Sequence, residues 1–214
     1  MNDTDVKVFL IGGPPGAGKT TLGTALAIRL GVTSLSCDDL IRAAAAVTTP
    51  ESHPGLHVMR RMPSLAYFTE SDVGRLIEDA TVQHEAVWPM VERVIRFHAS
   101  GGSRIVIDGW YMRPSWVGAL GLTNVRPHWI HAAESVLRER ESRLPWYQES
   151  SDPTRMLENF LGRSFWHNAL IREEATRHGM SILEQPGDRS VEALCDEILV
   201  GPLRDGPDRR GASA

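Results

Sequence analysis

The sequence predicts an α/β protein: a parallel β-sheet with helices on both faces. Three observations carry that expectation. Short apolar runs alternate with longer helical patterns. The first run breaks into a glycine-rich turn that opens directly onto a helix. And 214 residues, 42% of them apolar and 23% charged, suffice for one compact domain with room for an insertion.

Val6 to Ile11 is short, apolar and rich in β-branched residues, and reads as a buried strand ending at Gly12-Gly13-Pro14-Pro15. Leu22, Ala25, Leu26, Ala27 and Leu30 then recur at helical spacing, with Gly31 placed as the stop. Thr33 to Ser36 reads as a second strand, followed by a helix around Leu40 to Val47 and a turn-like stretch from Thr48 to Pro54. His57 to Tyr67 carries no clear period. From about Ser71 to Ala99 one broad face holds Val73, Leu76, Ile77, Ala80, Val87, Val91, Val94 and Ile95, a long helix that Pro89 should kink or split.

Gly101-Gly102 stops that helix, and Arg104 to Ile107 forms a third strand closing on Asp108-Gly109. Ser115 to Leu120 reads as a short helix and Val125 to Ile130 as a fourth strand, where Pro127 argues for a limited ladder. Glu134 to Arg143 is helical and arginine-rich, and Leu144 to Asp152 reads as a loop. Asp152-Pro153 supplies an N-cap and a first-turn proline for a helix lasting to about His178. Met180 to Leu183 is a fifth strand and Val191 to Val200 a last helix, and the polar tail from Arg204 to Ala214 is expected to be disordered.

Charge narrows the function. With 23 basic and 27 acidic residues the net charge is −4, which disfavours a broad surface for duplex nucleic acid. No apolar run approaches the ~20 residues of a membrane span. The acidic start Met1-Asn2-Asp3-Thr4-Asp5 lacks the pattern of a secretory signal. Two cysteines, Cys37 and Cys195, make neither a disulfide framework nor a zinc site. His53 and His57 are interrupted by Pro54-Gly55 and have no evident partner ligands. A cytoplasmic location is the expectation.

The informative segment is Gly13-Pro14-Pro15-Gly16-Ala17-Gly18-Lys19-Thr20, which fits G-x-x-x-x-G-K-[ST] at every fixed position. Chance supplies such a match in roughly 1% of chains this long, and here it stands between a strand and a helix, the context the chemistry requires. Glycines let successive backbone N–H groups curl around phosphate oxygens, and the helix start adds its positive end. Lys19 reaches the β- and γ-phosphates, and Thr20 supplies a hydroxyl for Mg²⁺, with Thr21 beside it. Asp108, at the end of an apolar strand, has the Walker-B pattern of a carboxylate that holds the metal or touches substrate.

No guanine-reading N-K-x-D or T-K-x-D is present. A short P-loop domain with a carboxylate after strand two and arginines late in the chain resembles the nucleoside-monophosphate and shikimate-kinase-like group of small-molecule kinases. Within it, Ser36-Cys37-Asp38-Asp39-Leu40-Ile41-Arg42 is similar to the corresponding segment of 2-phosphoglycerate kinase-like, chloramphenicol-phosphotransferase-like and zeta-toxin-like kinases. Val136-Leu137-Arg138-Glu139-Arg140-Glu141-Ser142-Arg143 resembles the helix that enters their lid. The resemblance implies a P-loop NTPase fold with strand order 2-3-1-4-5. It also implies one domain over residues 1–203, with an acceptor-binding helical region at about 40–100 and a helical lid at about 138–156.

The same resemblance places Asp38 near the accepting hydroxyl as general base. The chemistry agrees, because a carboxylate that orients a hydroxyl and takes its proton assists in-line transfer. Either Asp38 or Asp39 can instead cap the following helix. Arg140 and Arg143, three apart on one helix, and Arg138 beside them are candidates to stabilise the transferring phosphoryl group; a solvated face laced with glutamates is the alternative. Arg155 and Arg163 can complete that clamp. Trp110 and Tyr111, following a strand end, can wall the acceptor pocket, and Arg42, Arg60, Arg61 and Arg75 fall where this group binds its acceptor.

The expectation is an ATP- and Mg²⁺-dependent kinase acting on a hydroxyl or phosphate of a small metabolite, as a monomer or homodimer. Nucleoside or nucleotide-sugar kinases and a non-enzymatic ATP-binding regulatory module are the alternatives. A nucleic-acid end kinase fits the charge less well.

Overall fold

The computed structural model describes residues 5–60 and 62–200. The expected tail, Arg61 and the first four residues lie outside them. Five parallel strands stand in the order β2-β3-β1-β4-β5, the predicted order. They are β1 (Val8–Gly12), β2 (Thr33–Ser36), β3 (Ile105–Asp108), β4 (Val125–Ala132) and β5 (Ser181–Gln185).

The period of two assigns side chains to two cores. Val8 and Leu10 of β1, with Ile105 and Ile107 of β3, face a core completed by Val87, Val91 and Ile95. Phe9 and Ile11, with Val106 and Ile130, face the opposite core with Leu22, Leu26 and Leu194. Three layers follow. On the first face lie α2 (Cys37–Ala46), α3 (Pro54–His57), α5 (Val73–Ser100) and α6 (Pro114–Ala119). On the second lie α1 (Lys19–Leu30), α7 (Glu134–Ser142) and α9 (Val191–Val200). The long α8 (Pro153–Arg177) borders both, placing Leu161 in one core and Ile171 in the other. Asn168 locks it to the sheet by exchanging hydrogen bonds with the Ala132 backbone N–H and C=O, at 3.2 and 2.8 Å.

Several expectations change. The helix around Pro89 neither splits nor ends there: α5 is continuous over 28 residues. Pro89 is exposed, so the Glu85 carbonyl it leaves without a donor lies on the solvent side. β4 runs two residues past the expected end and pairs on both sides despite Pro127. Its ladder with β5 begins at His128, so the proline stands just outside it. The segment without a clear period forms α3, a 3₁₀ turn at Val58–Arg60, and α4 (Ser64–Glu70). The expected loop after α7 contains a 3₁₀ turn, Pro145–Glu149. Trp146 on that turn packs edge-on against Phe68 of α4 and Phe160 of α8, with ring centroids 5.8 and 6.0 Å away.

Candidate active site

The carboxyl ends of β1, β2 and β3 meet at one cavity of about 320 Å³, lined by Pro15, Gly16, Gly18, Lys19, Thr20, Thr21, Asp38, Trp110 and Arg163. The turn after β1 forms its floor. Gly18 adopts φ 90°, a left-handed conformation that L side chains rarely take, and so starts α1 with its N–H groups toward the cavity rim. Gly13 backs onto β4, Ala17 is buried in the second core, and the Pro14 carbonyl accepts a 2.8 Å hydrogen bond from Lys19 Nζ. Burial lowers the Lys19 ammonium to about 8, against the pull of Asp38 and Asp108.

Close backbone approach sets a second carboxylate, Asp108, behind the wall that Lys19, Thr20 and Asp38 form. A Cβ on Gly109 would stand 2.5 Å from Cys37 Cβ, so the end of β3 presses directly on the start of α2. Asp108 is 3% exposed and accepts a 2.8 Å hydrogen bond from Thr20 Oγ1. Burial pushes its carboxyl up, opposed by the Thr20 bond and the Lys19 charge. The Thr20 hydroxyl on the cavity wall and the Asp108 carboxylate bonded to it from behind are hard oxygen donors, the set that suits a cation filling its remaining positions with water and phosphate.

The capping question resolves in favour of a third residue. Ser36 Oγ accepts from the Asp38 N–H at 3.3 Å, so neither aspartate caps α2 through its side chain. That leaves Asp38 on the cavity wall. Asp39 instead pairs with Arg42 at 3.0 Å, both exposed on the outer face of α2, and the structure does not bring them to the cavity.

The arginines separate in the same way. Arg140 donates to the Gly16 and Ala17 carbonyls at 3.2 and 3.0 Å, bracing the outside of the loop. Arg143 is exposed and paired with Glu139, and Arg138 pairs with Glu158 across to α8. Arg155 is exposed at the start of α8, and Arg75 pairs with Asp79 at 3.0 Å. Arg60 is exposed too. The expected cluster of α7 arginines over the cavity is therefore not what the structure assembles: Arg138, two residues before Arg140, points to the opposite side of the helix, and Arg143, just past the end of α7, is drawn outward by Glu139.

Arg163 takes the interior position instead. It is 3% exposed, and its guanidinium carbon sits 4.7–4.8 Å from the ring centres of Phe68, Trp110 and Phe160. Its Nε has no hydrogen-bond partner, and its nearest assigned contact is a weak one to Met59 Sδ at 3.8 Å. Burial lowers this arginine to about 10. The sequence signal was thin: an arginine between Phe160 and Trp166 on a half-buried helix. Trp110 lines the cavity, edge-on to His84 with centroids 4.4 Å apart, and Tyr111 is buried beside it. His84 and His167, both buried there with unpartnered ring nitrogens, gave no signal in the sequence.

Comparison with known proteins gives the same architecture. No family model matches the chain. It is 31% identical over 111 residues to a protein named 2-phosphoglycerate kinase from Pyrococcus furiosus, a match that covers 51% of this chain and 37% of that protein. The match thus spans well under half the length of that relative. Among solved structures, shikimate kinase from Bacteroides thetaiotaomicron superposes with a TM-score of 0.54 at 18% identity, covering 90% of this chain and 98% of that one. A gluconokinase from Sinorhizobium meliloti 1021 superposes at 0.52 and 16%, covering 91% and 90%. The chain has the α/β P-loop fold of small-molecule kinases.

Proposed function

We propose that the chain transfers the γ-phosphoryl group of ATP to a hydroxyl of a small anionic metabolite. One observation carries the reading: Lys19, Asp38 and the buried Arg163 line the same cavity at the phosphate loop. A buried guanidinium with no carboxylate in hydrogen-bond contact is costly to fold around, and an anionic ligand is the partner that offsets that cost.

In this reading the backbone N–H groups of Gly13 and residues 16–20 hold the polyphosphate and Lys19 exchanges its bond to Pro14 for phosphate oxygens. Thr20 and Asp108 would hold Mg²⁺, which would neutralise charge on the phosphates. Asp38 orients the acceptor hydroxyl and takes its proton as the oxygen attacks phosphorus and the bond to the leaving ADP oxygen breaks. Arg163 holds an anionic group of the acceptor, and Trp110 excludes water from that side. Arg140 keeps the loop in shape through its carbonyls, a positioning role.

The named relatives suggest the first acceptors to assay: 2-phosphoglycerate, shikimate and gluconate, each with a carboxylate and at least one free hydroxyl. Coupled measurement of ADP release with MgATP and such a panel tests the proposal. The expected result is acceleration by an anionic hydroxy compound that disappears in Lys19→Ala. A panel of anionic and neutral metabolites that leaves ADP release at the solvent rate would refute it.

A further inference from the structure

Glu141 neighbours Arg140 on α7, yet it is among the few carboxylates buried in this protein, at 4% exposure. Its place is unusual for its charge. A Cβ on Gly16 would stand 2.7 Å from Glu141 Oε1, so the carboxylate lies directly against the phosphate loop. Tyr147, on the 3₁₀ turn that follows α7, donates a 2.8 Å hydrogen bond to the other oxygen and holds it there. The charges of Lys19 and Arg163 reach it, but burial outweighs them and raises its carboxyl above the ordinary range.

We propose that Glu141 is an internal competitor of polyphosphate, a carboxylate that shares the positive field of Lys19 and Arg163 and sets how tightly the loop takes a nucleotide. The inference rests on reading residues 13–20 as a polyphosphate cradle. Phosphates bound there stand within a few ångströms of the carboxylate, and at an effective dielectric near 20 that repulsion corresponds to tenfold or more in affinity. Filling the loop therefore favours withdrawal of Glu141. Because Tyr147 ties it to the turn carrying Trp146, which packs on α4 and α8, withdrawal shifts the whole 145–149 segment. Nucleotide binding and the position of this segment are thereby one equilibrium.

The test is calorimetric titration of the full chain with inorganic tripolyphosphate and with MgATP. Glu141→Gln keeps the shape and the Tyr147 bond while removing the charge, and it should bind both at least tenfold more tightly. Tyr147→Phe, which frees the carboxylate without removing it, should tighten binding by a smaller factor and serves if the first variant is poorly folded. Adding Lys19→Ala to Glu141→Gln should abolish the gain, which a general loosening of the fold would not do. Unchanged or weaker binding by Glu141→Gln, or by Tyr147→Phe in its place, overturns the inference while wild-type binding leaves the kinase reading standing. No binding by any form overturns both.

Discussion

Replacing Arg163 by methionine separates stability from function. The lowering of this guanidinium to about 10 corresponds to about 3 kcal/mol by which the fold disfavours its charge. The three aromatic rings at 4.7–4.8 Å return part of that, at about 0.5–1 kcal/mol each. A net cost of up to about 1.5 kcal/mol remains, and methionine fills similar volume against the same rings without it. Arg163→Met should melt at or above the wild-type temperature, by up to about 6 °C for a chain this long. Its kcat/KM for the acceptor should fall by about 100-fold or more, the scale expected when one partner of a desolvated charge pair is lost. Arg163→Lys should recover little, because an ammonium lacks the flat stack between rings. Thermal unfolding followed by circular dichroism, with kinetics on the same preparations, checks both halves. A variant that melts well below wild type while keeping its activity would show that Arg163 is structural and refute the reasoning.

The remaining predictions concern the other wall residues. Lys19 is held near 8, so the cost of its buried charge is present in full below about pH 8 and fades as pH rises toward the ~10.4 of a free lysine. Lys19 keeps some solvent contact, so Lys19→Met should gain about 1–2 kcal/mol at pH 7 and less at pH 9.5 in denaturant titrations, while losing turnover. Asp38→Asn should lower kcat by about 10²–10⁴-fold with MgATP affinity unchanged, measured by acceptor kinetics and calorimetry; equal losses in both would place Asp38 in nucleotide binding instead. Asp108→Asn should raise the Mg²⁺ concentration needed for half-maximal activity, with tripolyphosphate binding in the absence of metal little changed.

The fold was legible because its signals are local. β1 and β3 are short apolar runs that alternate between two cores, and the glycine-rich turn announces itself by residue type alone. Thr20, Lys19 and Asp108 were legible for the same reason, being fixed by a motif and a strand end. The rest of the cavity wall was not. Which arginine enters the cavity depends on the rotation of α7 and α8 about their own axes. Arg138, Arg140 and Arg143 look equivalent in sequence, but only Arg140 meets the loop. Arg163 is recognised by Phe68, Trp110 and Phe160, three residues from three distant segments. Glu141 reads as one more surface glutamate until Tyr147 and Gly16 are seen beside it. Long-range pairings of this kind leave no periodic trace.

The most direct measurement is isothermal calorimetry of the wild-type chain and Lys19→Ala with ATP in the presence of magnesium. Saturable uptake near one nucleotide per chain by the wild type, and its loss in the variant, is the predicted result. A folded wild type that takes up no ATP, or a variant that takes it up equally well, would contradict the account at its base.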